Sequence, residues 1–232
     1  MDSIMYQWSV QCGKGEMSVL PDGCRDLIAI SSHGRPVSFV CTGLDATPRH
    51  VVCEGETRFV GIRLAPGVSF PWERTEASVK YRDQPLFDAV ARLDHEAEPA
   101  DMQQCLLGVM EYAQLPPQWL ADCLQELNEG RSISHHRSER SIRRGVLDLT
   151  GASPRFWKGL GRVRRAGLAI VQSDLPLADI ALAHGYADQA HMCRDVRRWL
   201  GITPARLRQQ PGAEWIGLAS PDAFSIISNH RE

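Results

Sequence analysis

LPLADIALAHGYADQAHMCRDVRRWLGITPARLR, residues 175–208, carries two helical periods separated by a turn. Leu177, Ile180, Ala181 and Leu182 define a short first helix, in which the small Ala178, Ala181 and Ala183 permit close approach of a neighbour. Gly185 follows as a residue that tolerates positive φ, which a tight crossing of two helices requires. Asp188 is placed to cap the next helix, and Met192, Val196, Trp199 and Leu200 recur every three to four residues on its apolar side. The opposite side holds Gln189, His191, Arg194, Arg197 and Arg198, side chains that donate to phosphates or to base edges in a major groove.

The same helical grain continues upstream. Helices are predicted over 117–128, 138–149, 154–172, 176–183, 188–199 and 204–210, behind a boundary at Pro116-Pro117, where fixed φ stops a preceding helix. Between Gln84 and Tyr112 the spacing of Leu86, Phe87, Val90 and Leu93, then of Cys105, Leu106, Val109 and Met110, is also helical. Before that, short runs rich in Val, Ile, Phe and Leu alternate with Gly and Pro: MSVL ahead of PDG, DLIAI (26–30), PVSFVCTG (36–43), HVVCEG (50–55) and RFVGIRLAPG (58–67). Their even spacing predicts a small antiparallel barrel or sandwich. The fold class expected is therefore α+β, with a β-rich unit and trailing helices over 1–115, an all-α unit over 116–210, and a tail, 211–232, without a clear period.

Charge divides along the same line. The 232 residues carry a formal net charge of −2, yet residues 1–115 hold 10 Lys+Arg against 16 Asp+Glu, while residues 131–210 hold 15 against 6. An acidic half joined to a basic half points to a nucleic-acid surface confined to the second. No window approaches the roughly 18 consecutive apolar residues of a membrane span. MDSIMYQWSV lacks the basic start and apolar core of a signal peptide, so a cytoplasmic location is expected. Seven cysteines with no CxxC pair fit reduced thiols better than a disulfide framework.

From Asp179 to Arg208 the succession IA, GY (where GF is commoner), DQAH, R and GITPARLR resembles the second helix-turn-helix signature of AraC-type transcription regulators. The resemblance implies a first helix-turn-helix upstream, joined to the second by a long helix, with an effector-binding or dimerising domain ahead of both. SERSIRRGVLDLTGASPRFWKGLGRVRRAG (138–167) is similar to the end of that first unit. From Arg155 to Gln172 the connector spans about 27 Å at roughly 1.5 Å per residue, suited to two groove segments ~34 Å apart. One departure stands out: GRSISHHRS (130–138) replaces the alanine-rich helix the family places before the first recognition helix, which suggests phosphate contact by His135, His136 and Arg137. Carried over position by position, Ala190, His191 and Arg194 of the second recognition helix would face bases, with Gln189 near phosphates. Arg140, Arg143 and Arg144 would do so in the first.

PDGCRDLIAI (21–30) and FVGIRLAPG (59–67) resemble the small, often cupin-like domain found ahead of some AraC-type units. Cupin enzymes bind metal through a His-x-His pair, which is absent here, so neither a metal nor another cofactor is expected and the chain is read as a non-enzyme. Cys12, Cys24, Cys41 and Cys53 fall in the β-rich region as a possible thiolate cluster, although a strand cysteine is ordinarily a small apolar side chain. Trp8, Cys24, Arg25, Arg63 and Trp72 are the candidate effector contacts. Together these readings describe a sequence-specific regulator of transcription, an activator by family habit. Its partners would be double-stranded DNA, RNA polymerase, a small-molecule effector and a second copy of itself. The alternatives are a DNA-binding regulator without a ligand, and a cupin-type small-molecule enzyme.

Overall fold

The computed structural model describes residues 4–73, 83–86, 93–94, 97–133, 138–209 and 226–229. His135, His136, Arg137, Phe87, Val90 and the tail aromatics Trp215 and Phe224 lie outside them. The amino-terminal strands are β1 (Ile4–Cys12), β2 (Gly15–Val19), β3 (Arg25–Ser32), β4 (Ser38–Cys41), β5 (Arg49–Cys53), β6 (Thr57–Leu64) and β7 (Gln84–Pro85). They form two antiparallel sheets, β1-β6-β3-β4-β7 and β5-β2-β8, the last strand being β8 (Ile226–Asn229) from the far end of the chain. β8 pairs with β2 from Glu16↔Asn229 to Val19↔Ile226, so four residues of the unassigned tail complete the smaller sheet.

The helical spacing read from Gln84 onward holds only in part. Gln84 and Pro85 form an edge strand on β4, where a proline without an N–H does no harm, and Leu86 donates its backbone N–H to Phe39 O. Helix α1 (Pro99–Met110) packs across β3 and β6, burying Met102, Leu106 and Val109 against Leu27, Ile62 and Leu64.

The remaining helices are α2 (Gln118–Glu129), α3 (Glu139–Thr150), α4 (Pro154–Gln172), α5 (Leu177–Ala183), α6 (Gln189–Leu200) and α7 (Pro204–Gln209). Each begins within a residue or so of where the sequence places it, because the stop signals are chemical. Ser138, Ser153 and Asp188 cap α3, α4 and α6 by accepting from the N–H groups of Ser141, Phe156 and His191. Gly185 turns the chain between α5 and α6 at φ +74°. Helix α4 runs through the middle of this unit, packing on α2, α5, α6 and α7 around Leu160, Val163, Ala166 and Ile170.

Helix α2 crosses α4 at Gly161, where an added Cβ would sit 2.4 Å from Asn128 O and 2.6 Å from Asn128 Cα. Gly161→Ala therefore forces two backbones apart. It should cost about 1–3 kcal/mol in urea denaturation, and an unchanged midpoint would show that the crossing does not need the glycine.

The two units meet on α4. Leu20 and Leu44 join the helical core, Gly23 lies under the Trp157 ring, and Arg164 Nη1 donates to Asp22 O at 3.2 Å. The β2–β3 connection is thus pressed against the connecting helix.

Candidate nucleic-acid interface

Helix α6 is sorted by its period. Met192, Val196, Trp199 and Leu200 are buried, while Gln189, Ala190, Arg194, Arg197 and Arg198 are exposed. His191 is half-buried: its ring stands edge-on to Tyr186 at 5.1 Å, and its Nδ1 accepts from the Ala187 N–H. That leaves the other ring nitrogen to reach outward. Arg198 lies over the Trp199 ring at 5.6 Å, which holds its stem down while leaving the guanidinium in solvent.

The helix is aimed by α4. Arg162 Nη2 donates to Asp195 Oδ2 at 2.7 Å, and the same guanidinium sits 4.4 Å from the centre of the Tyr186 ring. Burial in that sandwich pushes the Tyr186 hydroxyl up to about 12. One half-buried arginine therefore fixes both the turn before α6 and the outer flank of α6.

In the first unit, Arg140, Arg143 and Arg144 are exposed on α3, opposite the buried Ile142 and Val146. Arg144 pairs loosely with Asp148 one turn on, at 3.5 Å. On the α3 side, α2 ends at Glu129 with Gly130 as its left-handed cap, and residues 131–133, which follow, are irregular. In the second unit, by contrast, α5 stands directly before α6. A groove of about 900 Å³ opens beside α3, lined by Leu127, Ile133, Ile142, Leu147, Arg155 and Lys158 among others.

Arg155 and Lys158 were not singled out in the sequence. Both are exposed on the first turns of α4, and they line the groove beside α3 and a second one, with His191 and Arg198, beside α6. They join the two basic faces into one ridge. The signal lay in Ser153-Pro154, which marks a helix start, where unpaired N–H groups and the helix dipole already favour an anion. In the other basic run, RVRR, Arg162 and Arg164 are engaged with protein groups, Asp195 and the Asp22 carbonyl. Arg208 likewise closes the end of α4, donating to Ile170 O and Leu175 O.

A cavity of about 710 Å³ lies between the two sheets. Of the proposed effector contacts, Trp8, Cys24 and Arg63 line it. Arg25 and Trp72 do not: Arg25 points the other way, bonding Cys41 Sγ at 3.0 Å, Thr42 O and Glu73, and Trp72 stacks on Phe70 at 4.7 Å. The reason is the pleat. Along β3, Asp26, Ile28 and Ile30 face the cavity, while Leu27 and Ala29 pack in the core with α1 and Arg25 turns to that same side toward Cys41 and Glu73. The sequence reading missed Asp26, although simple alternation from the core residue Leu27 would have placed it.

Arg63 holds the floor. Its Nε and Nη2 clasp the two oxygens of Asp26 at 3.1 Å each, and its Nη1 lies 2.6 Å from Asp22 Oδ2. Trp8 Nε1 donates to Asp26 at 3.0 Å, its indole lying flat on Gly61, where a Cβ would come within 2.2 Å. Burial raises the Asp22 carboxyl above its ordinary range despite Arg63. Burial also pushes the Cys41 thiol up to about 12 and that of Cys24 higher still, so both are protonated packing groups. Among the described residues no three His, Cys, Asp or Glu side chains converge as a metal set, and no helix is long and apolar enough to cross a membrane.

Fold and surface together define a helix-turn-helix unit, with a long central helix and a basic ridge, packed on a β-rich unit. Residues 134–210 match the family model for the helix-turn-helix domain. The HTH-type transcriptional regulator ExsA of Pseudomonas aeruginosa is 37% identical over 59 residues, which are 25% of this chain and 21% of ExsA. This carboxyl-terminal unit is therefore similar to helix-turn-helix domains. The matched stretch spans about a fifth of that relative's length. Among solved structures, ToxT from Vibrio cholerae aligns over 91% of this chain and 100% of its own, at 9% identity and a TM-score of 0.41. ToxT from Vibrio cholerae O395 bound to (E)-4-(8-methylnaphthalen-1-yl)but-3-enoic acid aligns over 90% and 99%, also at 9% identity and 0.41.

Proposed function

We propose that this protein is a sequence-specific, double-stranded DNA-binding regulator of transcription, an activator, in which 116–210 binds DNA and 1–115 receives an effector or a second subunit. The observation that carries this reading is the sorting of α6: its apolar residues are spent on the core, and Gln189, Ala190, Arg194 and Arg197 are left outward on a ridge continuous with Arg155, Lys158 and Arg143. Arg194 and His191 read base edges. Gln189, Arg197, Arg198, Arg155 and Lys158 hold phosphates. On the α3 side, Arg140, Arg143 and Arg144 add contacts along the backbone. No catalysis is needed for this role, which places the protein in the cytoplasm beside RNA polymerase.

Control follows from the packing. Leu20, Asp22 and Cys24 line the cavity, and the same stretch touches Trp157, Leu160 and Arg164 of α4. A ligand in the cavity changes DNA affinity to the extent that it prefers one placement of this connection over another.

The test is selection of bound fragments from a random DNA library by the full chain. Arg194→Ala should relax preference at one base position and cost about 1–3 kcal/mol on the best site. Lys158→Ala should weaken all sequences alike and lower the salt slope by about 1. An unchanged preferred sequence with Arg194→Ala sinks the base-reading assignment.

A further inference from the structure

Three sulfur atoms converge at one end of the amino-terminal sheets. The pairings Cys12↔Thr57 and Gly15↔Cys53 set the β1–β2 turn beside the β5–β6 turn, so the last residue of β1 meets the last residue of β5. Cys12 Sγ lies 3.6 Å from Met17 Sδ, and the Cys12 side chain packs against the small core that holds Cys53. Met17 and Cys53, each 4% exposed, form a small core with Phe59, against which Cys12 and Trp8 pack. Cys12 is half-buried and gives the cluster its opening to solvent.

Two thiols and a thioether are a selective donor set. Zinc and the harder divalent ions want nitrogen, oxygen or more thiolate, whereas thioether sulfur suits soft monovalent copper. Three sulfurs around one ion at bonds of about 2.3 Å stand about 4 Å apart in a trigonal plane, so the 3.6 Å between Cys12 and Met17 asks for little movement. Cys24 and Cys41 have other partners: Cys24 faces Met5 Sδ at 4.0 Å, and Cys41 accepts from Arg25.

We propose that Cys12, Met17 and Cys53 form a binding site for a soft monovalent metal ion of the Cu(I) class. Binding displaces one proton from each thiol to water and forms two thiolate–metal bonds. Met17 contributes a lone pair as third ligand, and the metal remains in its +1 state. Met17 also lines the large cavity, and three residues further along the chain Leu20 enters the helical core, so the site is positioned to bear on the connection that touches α4.

The experiment uses the full chain, fully reduced and without oxygen, titrated into the coloured Cu(I)–bicinchoninate complex. The expected result is withdrawal of one equivalent of Cu(I), weakened at least about tenfold by Met17→Leu, which keeps the core volume, and by Cys12→Ser. No withdrawal by the unaltered chain overturns the proposal, as does withdrawal unaffected by both variants, which would place the ion on other thiols such as Cys105 or Cys193. A chain that takes no Cu(I) but yields a Cys12–Cys53 cross-linked peptide after diamide is a redox couple instead, and that outcome also overturns the metal site. The assay reads no DNA, so its failure is separate from any failure of the regulator reading.

Discussion

Arg63→Met should lower the stability of the β-rich unit by about 3–5 kcal/mol, measured as a shift in the urea midpoint of tryptophan fluorescence, with Trp8 as the local reporter. Methionine fills much of the same volume, so the loss is electrostatic. Removing the guanidinium leaves the largely covered side chains of Asp22 and Asp26 without the cation that now contacts three of their four oxygens. Arg164, whose Nη1 donates to the Asp22 backbone carbonyl, offsets this only in small part, its pull on the Asp22 carboxylate being weaker than that of Arg63. The deficit should depend on pH in a definite direction. The folded-state pKa of Asp22 is already raised by burial, and loss of Arg63 raises it further. A carboxyl so shifted is penalised most when ionised, so the deficit is full toward neutral pH. It shrinks as pH falls and the folded chain takes up the proton before the unfolded chain does. Adding Asp22→Asn and Asp26→Asn to Arg63→Met should restore most of the lost stability, since a neutral set of similar shape carries no uncompensated charge. A triple variant as unstable as the single one would mean that packing, not charge, sets the cost.

The helical half was legible because its signals are local. A cap at Asp188, a turn at Gly185 and an apolar period through Met192, Val196 and Trp199 each act within a few residues, and each stands where the sequence placed it, while Ser138 and Ser153 add caps at two further helix starts. The β-rich half was legible as strands and not as a site. Which residues share a face follows from the pleat once one core residue is known, yet Arg25 and Trp72 looked as suitable as Arg63 on composition alone. Both face away from the cavity, Arg25 toward Cys41 and Glu73 and Trp72 toward the Phe70 ring. The pairing of Ile226–Asn229 with β2 was beyond reach, because the alternation of four residues does not name a partner more than two hundred residues away. Arg155 and Lys158 were hidden for a different reason. A basic residue early in a connecting helix reads as solvated until the neighbours of that helix are known.

Trp199→Ala should be as costly for the helical half, about 3–5 kcal/mol, and it separates folding of the proposed DNA-binding surface from its chemistry. The indole is 4% exposed, meets the Phe156 ring at 5.2 Å, covers Gly159 of α4 and supports the Arg198 guanidinium. Phe156 in turn stands edge-on to Trp157, whose Nε1 donates to Thr150 Oγ1 at 3.1 Å, so the indole ends a row of rings on α4 and α6 that is tied to α3 through the Thr150 hydroxyl. Its loss opens a cavity between α4 and α6 that neither backbone can close, because Arg162 still ties Asp195 to α4. Amide hydrogen exchange in α6 should then accelerate while exchange in β3 and β6 stays slow, and specific DNA binding should fall with the population of folded α6. Arg194→Ala gives the contrast: exchange and urea midpoint close to those of the unaltered chain, with affinity for the preferred sequence reduced. If both variants lost affinity in proportion to lost stability, Arg194 would be a scaffold residue and the outer face of α6 would not be the reading surface. If Trp199→Ala kept full specific affinity despite faster exchange, α6 would fold on the DNA itself, and its preorganisation by Arg162 and Trp199 would be unnecessary for recognition.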